Sequence, residues 1–263
     1  MSTALTPELY ELAFSYRDYE AEVDFIELCW QRHASTDNTC VLDIACGIGE
    51  HLHQLCLRGY DCCGFDIDER MVEFATAKFA AEELPIEVWT ADMRDFEVER
   101  PFGLATNMLT SANLLLTNEA LENHLRLVAR ALEPGGIYLL EMFHPRAYGF
   151  GPDILAYAWE VQRDDVHLEC DLHHQRKPLD PIRQCQETTM HIAVTKGGKT
   201  EVIEHRRRQR VYLYHEFRAI VGCTRNFEIL DCFGAFNADR KLDNSQRSWR
   251  MIPVLRRTEE DVK

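Results

Sequence analysis

The sequence predicts an α/β fold: a doubly wound, mostly parallel seven-stranded sheet carrying an antiparallel β insert. Three observations predict it. Between Cys40 and Phe143, short apolar runs alternate with helix-period segments, the pattern of parallel strands joined by right-handed crossovers. The first run passes from Val41-Leu42-Asp43-Ile44 through Ala45-Cys46-Gly47-Ile48-Gly49 directly into a helical pattern, as a buried strand does beside a nucleotide-like ligand. After Pro145 the helices stop and period-two alternation takes over.

Taken in order, residues 8–30 read as one helix (Leu9, Leu12, Ala13, Tyr16, Tyr19, Val23, Ile26), lying over the ligand side of the sheet or against its edge. Strand 40–45 leads to helix 50–58, with Leu52, Leu55 and Cys56 at helical spacing and Gly59 just past its end. Strand 61–66 leads to helix 69–81, whose Met71, Val72, Ala75 and Phe79 share a face. Residues 86–90 and 104–109 are further strands. Helix 118–132 is capped by Asn118 and stopped by Pro134-Gly135-Gly136, and 137–143 is the fifth strand.

Beyond it, Tyr157, Trp159 and Val161 alternate, as do Val166, Leu168, Cys170 and Leu172. Met190, Ile192 and Val194 run into Lys196-Gly197-Gly198-Lys199, a hairpin signal, and Val211 and Leu213 alternate with Tyr212 and Tyr214. A short helix at 216–221 and strands at 227–232 and 249–255 complete the sheet. The expected division is a core of 1–145 with 216–263, and a cap of 146–215 on the substrate side.

A formal charge of −15 argues against a nucleic-acid partner, because such binding runs on clustered cations. The one basic cluster, Arg206-Arg207-Arg208 with Arg210, lies in a strand pattern beside Glu201 and Glu204 and reads as a solvated strand face. No run of 18 apolar residues spans a membrane, and Met1 to Tyr10 does not resemble a secretory leader. Ten scattered cysteines fit free thiols in a cytoplasmic protein. His51 and His53 point in different directions on a helix, and His173-His174 is no better placed, so no metal site is expected. An exposed edge in the insert offers a homodimer contact.

The ligand is narrowed by what the turn lacks. A nicotinamide fingerprint asks for a third glycine where Leu52 stands, and Asp43 would repel a pyrophosphate while suiting an amine-bearing ligand. With these residues the chain resembles the class I S-adenosylmethionine-dependent methyltransferases over about residues 8–145 and in strand order to the end. Within them it is most similar to bacterial small-molecule methyltransferases with an antiparallel insert after strand five.

That resemblance implies a Rossmann-like sheet and S-adenosylmethionine as cofactor, with S-adenosylhomocysteine as product. Asp43, Ala45, Cys46, Gly47 and Gly49 then form the first motif at the methionine end, with Ala45 where many members carry glycine. Asp66 would chelate the ribose diol, Ile67 or Met71 would touch the adenine face, and Asp92 would accept from the adenine amine beside the Met93 amide. Asn107 and Met108 would contact the sulfonium region, and Leu132-Glu133-Pro134-Gly135-Gly136 matches the turn before strand five. Each has a plainer reading as a cap, a turn former or a helix stop.

Asn107-Met108-Leu109-Thr110 lacks the Pro-Pro-aromatic motif that grips a base amine, no Pro-Cys pair is present, and no carboxylate triad for a metal is evident. The expected reaction is in-line methyl transfer to a nitrogen or oxygen of a small-molecule acceptor. The acceptor wall would come from the N-terminal helix, residues 110–117, residues 144–148 and the insert. His144, directly after strand five, is the first candidate for a base; Tyr16 and Tyr19 are candidates to close over the cofactor, and Arg210, Tyr212 and Glu216 follow. A nicotinamide-dependent oxidoreductase and a non-catalytic cofactor-binding regulatory subunit are the competing readings.

Overall fold

The computed structural model describes residues 5–148 and 158–259. Its elements are helices α1 (Pro7–Phe14) and α2 (Tyr19–His33), strand β1 (Cys40–Ile44), α3 (Glu50–Leu57), β2 (Asp61–Asp66), α4 (Glu69–Ala81), β3 (Glu87–Thr90) and β4 (Phe102–Asn107). They continue with α5 (Asn118–Ala131), β5 (Leu132–Leu140), β6 (Met142–Phe143), β7 (Ala158–Arg163), β8 (Val166–Arg176), β9 (Cys185–Lys196), β10 (Lys199–Arg210), α6 (Tyr214–Thr224), β11 (Phe227–Phe233) and β12 (Arg250–Arg257).

The main sheet runs β11-β12-β5-β4-β1-β2-β3, with the short β6 adding to β12. Strands β1 to β5 pair in parallel, while β12 runs antiparallel to β5. Parallel strands buried on both faces need helices on each side. One face packs Leu121, Leu125 and Val128 of α5 and Phe217 and Val221 of α6. The other packs Val23 and Ile26 of α2, Leu52 and Leu55 of α3, and Ala75 and Phe79 of α4. Strand order reverses between β1 and β4, which opens a crevice at the carboxyl ends of those strands.

A second sheet, β10-β9-β8-β7, is antiparallel throughout and turns at Gly197-Gly198. Its apolar face (Leu168, Cys170, Met190, Ile192, Ile203) packs against Leu12, Ala13 and Phe14 of α1. Trp159 fastens that contact by donating its indole N–H to the Ala13 carbonyl at 2.6 Å. The first helix therefore belongs with the second sheet, and the second helix with the first.

Several local expectations need correction. The helix predicted over residues 8–30 is two helices. Ser15 turns its hydroxyl back to the Leu12 carbonyl, and Asp18 caps α2 by accepting from the Ala21 amide, so short polar side chains take backbone groups that a continuous helix would use. Thr117, not Asn118, caps α5, accepting from the Ala120 amide. Pro134-Gly135-Gly136 lies within β5, at a register shift between Phe102 and Leu104, so extended backbone resumes before the glycines. Glu141 interrupts the predicted fifth strand, its amide donating to the Asn107 carbonyl. Val211 to Leu213 form no strand; they lead into α6, which starts at Tyr214. Tyr157 and the His173-His174 side chains lie outside the described residues. Among those described, no helix is long and apolar enough to cross a membrane.

Candidate active site

The crevice at the ends of β1, β2 and β4 is a cavity of about 530 Å³, roofed by β10 and closed at one side by Tyr10 of α1 and Tyr19 of α2. Its size is that of a cofactor-sized ligand site. The turn after β1 shapes its floor. Gly47 has φ +57° and lines the cavity, and a Cβ built there meets no atom within 4 Å, so any side chain would enter the open space. Gly49 serves a different need. Its φ is +77° and a Cβ would come within 2.4 Å of the Phe79 ring, so this glycine lets α3 and α4 pack closely.

Asp66 ends β2 and holds this turn in place. Its Oδ2 accepts from the Gly47 amide at 2.8 Å and its Oδ1 from the Asp68 amide at 2.9 Å. Burial raises its pKa against those two bonds, and a second polar contact to each oxygen is chemically available. Asp92 stands in the next loop. The Arg94 guanidinium donates to both of its oxygens, at 2.9 and 3.0 Å, and lowers its pKa. Behind that loop, buried His124 donates from Nδ1 to the Met93 carbonyl at 2.8 Å and accepts at Nε2 from the Tyr138 hydroxyl at 2.7 Å. Burial pushes its pKa down to about 4, so it braces the loop as a neutral ring.

The structure brings nine of the sequence-predicted cofactor residues to this one cavity: Tyr19, Ala45, Cys46, Gly47, Asp66, Ile67, Met71, Asp92 and Met93. Asp43, Gly49, Asn107 and Met108 stand behind it. Asp43 accepts from the Thr106 hydroxyl at 2.7 Å across the β1–β4 pair. Asn107 donates to the Ile44 carbonyl at 3.0 Å, and Met108 packs in the core under α2. The chain reaches the cavity one residue later, because Leu109 (φ 53°) and Thr110 (φ 64°) turn it through two left-handed residues.

A narrower chamber of about 30 Å³ adjoins the cavity and shares Tyr10, Leu109 and Arg207 with it. Phe14, Tyr16, Phe143, Trp159 and Leu172 supply most of its apolar wall, and Arg17 and Arg250 its cationic one. Beneath it, Glu141 is fully enclosed and accepts from Arg17 at 3.1 Å, from Arg250 at 2.5 Å and from the Leu109 amide at 2.8 Å. Arg17 also donates to Glu22 at 2.7 Å, and His51 donates to the same Glu22 oxygen at 2.8 Å.

Tyr16 lines this chamber, whereas the catalytic candidates His144, Arg210, Tyr212 and Glu216 do not. His144 donates from Nε2 to the Asp243 carbonyl at 2.9 Å and accepts from the Arg146 amide at Nδ1, so both ring nitrogens are engaged. Arg210 pairs with Glu216 at 2.6 Å and lies 4.9 Å over the Tyr212 ring. The Tyr212 hydroxyl donates to the Leu115 carbonyl. His51 and His53 turn to separate carboxylates, Glu22 and Glu82. The sequence reading missed Tyr10, Arg17, Glu141 and Arg250; their roles depend on contacts across 100 residues or more, and only the aromatic and charged character of each was visible.

A methyltransferase-domain family model matches residues 41–136, which span the first motif, Asp66, Asp92 and the first half of β5. The chain is 28% identical over 204 residues to dTDP-3-amino-3,4,6-trideoxy-alpha-D-glucopyranose N,N-dimethyltransferase of Streptomyces venezuelae, covering 75% of this chain and 78% of that one. These matches make the chain an S-adenosylmethionine-dependent methyltransferase. It is also 31% identical over 126 residues to dTDP-4-amino-2,3,4,6-tetradeoxy-D-glucose N,N-dimethyltransferase of Saccharopolyspora spinosa, a match that spans 48% of each chain. It shares its fold with an S-adenosylmethionine-dependent methyltransferase from Clostridium acetobutylicum, with a TM-score of 0.76 at 20% identity, covering 94% and 95% of the two chains.

The methyltransferase uses S-adenosylmethionine as its methyl donor and acts on a small-molecule acceptor. The site's own chemistry fits that donor: a glycine floor open to the cavity, a carboxylate with spare acceptor capacity beside it, and two tyrosines closing one side.

Proposed function

We propose that the methyltransferase methylates an amine nitrogen, in an amino sugar or an amine of similar size. The observation that carries this is the lining of the narrow chamber. Among the described residues it contains no carboxylate and no imidazole. Its tyrosines are poor bases, since burial pushes Tyr10 up to about 12 and also raises Tyr16. An alcohol needs its proton removed as the new bond forms, whereas a neutral amine presents a lone pair without that help. Aromatic faces such as Tyr16 and Trp159, whose centroids lie 5.2 Å apart, also suit the positive charge that passes from the sulfonium to a neutral amine nitrogen as the methyl group moves. The amino-sugar N,N-dimethyltransferases among the relatives support the same choice.

Bound S-adenosylmethionine supplies a methyl carbon activated by its sulfonium. In this reading the backbone at Ala45, Cys46 and Gly47 receives the methionine end, and Asp66 takes the ribose diol on its free lone pairs. Asp92 accepts from the adenine amine, with Ile67, Met71 and Met93 against the ring. Tyr19 and Tyr16 exclude water, and Asp43, Gly49, Asn107 and Met108 support the turn from behind. Residues 1–145 with 216–263 serve as the donor-binding core and 146–215 as the cap that completes the acceptor wall.

Two measurements test this reading. Calorimetry should give micromolar binding of S-adenosylhomocysteine by the intact protein, and Asp66→Ala should weaken it by about 100-fold, the loss expected for two hydrogen bonds to a charged group. Mass spectrometry should then find methylation of a dTDP-linked amino sugar and none of its hydroxyl counterpart. Transfer to the hydroxyl compound alone would overturn the choice of nitrogen.

A further inference from the structure

Arg207 stands on β10 at the boundary between the donor cavity and the narrow chamber, and it lines both. It is half-buried, yet it makes no hydrogen bond and no ion pair with any described residue. The other two arginines of the chamber, Arg17 and Arg250, are bound to Glu141. The groups that face Arg207 electrostatically are the Tyr10 phenol from α1 and the Asp66 carboxylate from the end of β2. Beside it on its own strand, His205, Arg206 and Arg208 also line the cavity. A chain of net charge −15 thus places three consecutive arginines over its ligand space.

A guanidinium drawn out of water without a partner is costly, and a ligand anion relieves that cost on binding. Burial lowers the Arg207 pKa, the direction expected of a cation whose desolvation is uncompensated. The guanidinium fork matches two oxygens of one phosphate or carboxylate.

We propose that Arg207 receives an oxyanion carried by the methyl acceptor, a phosphate or a carboxylate, and so sets how far the acceptor's amine reaches toward the donor. This rests on the reading of the chamber as the acceptor side of the site. It makes Arg207 a positioning and specificity residue, and it makes anionic amines the substrate class.

The test titrates inorganic pyrophosphate and, separately, succinate into protein saturated with S-adenosylhomocysteine. At least one should bind the wild-type protein. Arg207→Met should weaken that binding tenfold or more, Arg207→Lys should recover part of it, and S-adenosylhomocysteine affinity should move by less than threefold in either variant. Binding of pyrophosphate alone assigns a phosphate-bearing acceptor, and binding of succinate alone a carboxylate. The proposal is overturned if neither anion binds, if both variants bind it as the wild type does, or if Arg207→Met costs tenfold in S-adenosylhomocysteine affinity, which would give Arg207 to the donor. Failure of the wild-type protein to bind S-adenosylhomocysteine would instead sink the donor-site assignments. Melting temperature checks the variants: with no partner to orphan, Arg207→Met should melt no lower than wild type.

Discussion

Arg17 donates to Glu141 at 3.1 Å and ties the turn between α1 and α2 to the break between β5 and β6. Both side chains are almost fully enclosed, at 3% and 0% exposure, so neither charge can be satisfied by water. Arg250 and the Leu109 amide converge on the same carboxylate. The pair thus couples the segment carrying Tyr16 and Tyr19 to the strained Leu109-Thr110 turn at the site.

Removing that carboxylate should be severe. Glu141→Ala removes the carboxylate that two buried guanidiniums share, and breaking a buried pair in this way costs about 3–5 kcal/mol. Urea denaturation should show the loss, and S-adenosylhomocysteine affinity should fall with it because Leu109 loses its anchor.

The same group sets an acid limit. Burial alone would raise the Glu141 carboxyl, but Arg17 and Arg250 outweigh it and hold the pKa at about 2, below its ordinary 4.5. A carboxylate pKa lowered on folding stabilises the protein above the unfolded value, and that contribution disappears as pH falls from about 4 toward 2. Stability measured across this range should fall steeply in the wild type and more gently in Glu141→Gln.

Asp43 has the opposite sign. Burial pushes its carboxyl up to about 6 from 3.8, so the fold favours its proton, and its contribution weakens as pH rises from about 4 through 6. Asp43→Asn keeps an acceptor for the Thr106 hydroxyl without the buried charge. The variant should exceed wild type in stability by about 1–2 kcal/mol at pH 8, within the full linkage of about 3 kcal/mol for such a shift. Below pH 4 the two should converge, as chemical denaturation at both values can show.

Ala45 occupies the left-handed region at φ 57°, where a Cβ costs about 1–2 kcal/mol. Ala45→Gly removes that cost while adding unfolded-state freedom of about 0.5–1 kcal/mol. A net gain of about 0.5 kcal/mol, read as a higher denaturation midpoint at unchanged slope, is the expected outcome.

His144→Ala should act on stability rather than on chemistry. Its ring loses hydrogen bonds to the Asp243 carbonyl and the Arg146 amide, a loss of about 1–3 kcal/mol. The pH dependence of methyl transfer should stay where it is, following the acceptor amine's own ionisation. A shifted profile in this variant would return His144 to the role of base.

Much of the fold was legible because its signals are local. The Cys40-to-Gly49 run, the helix faces at Met71-Val72-Ala75-Phe79 and the Gly197-Gly198 turn each carry their periodicity or turn chemistry within a dozen residues. The broken N-terminal helix was not legible, because Leu9 to Ile26 keep one apolar rhythm across the break. What splits them is the pull of two different partners, the second sheet on α1 and the first sheet on α2. The residues gathered at the large cavity were readable for a related reason: Asp66 ends β2 and Asp92 lies in the loop just after β3, and topology alone carries such strand ends to one edge.

By itself, then, the sequence determined the alternation of parallel strands and helices and the glycine turn from Ala45 to Gly49, which follow from backbone rules and residue type, and through its family resemblance the donor. Tertiary structure alone decided which side chains meet over that floor. His144, Arg210 and Tyr212 are spent on hydrogen bonds and an ion pair, Glu141 is claimed by two arginines from opposite ends of the chain, and Arg207 is left without a hydrogen-bond or ion-pair partner among the described residues. Pairings across 100 residues depend on how the sheets pack, and no periodicity within the chain encodes them.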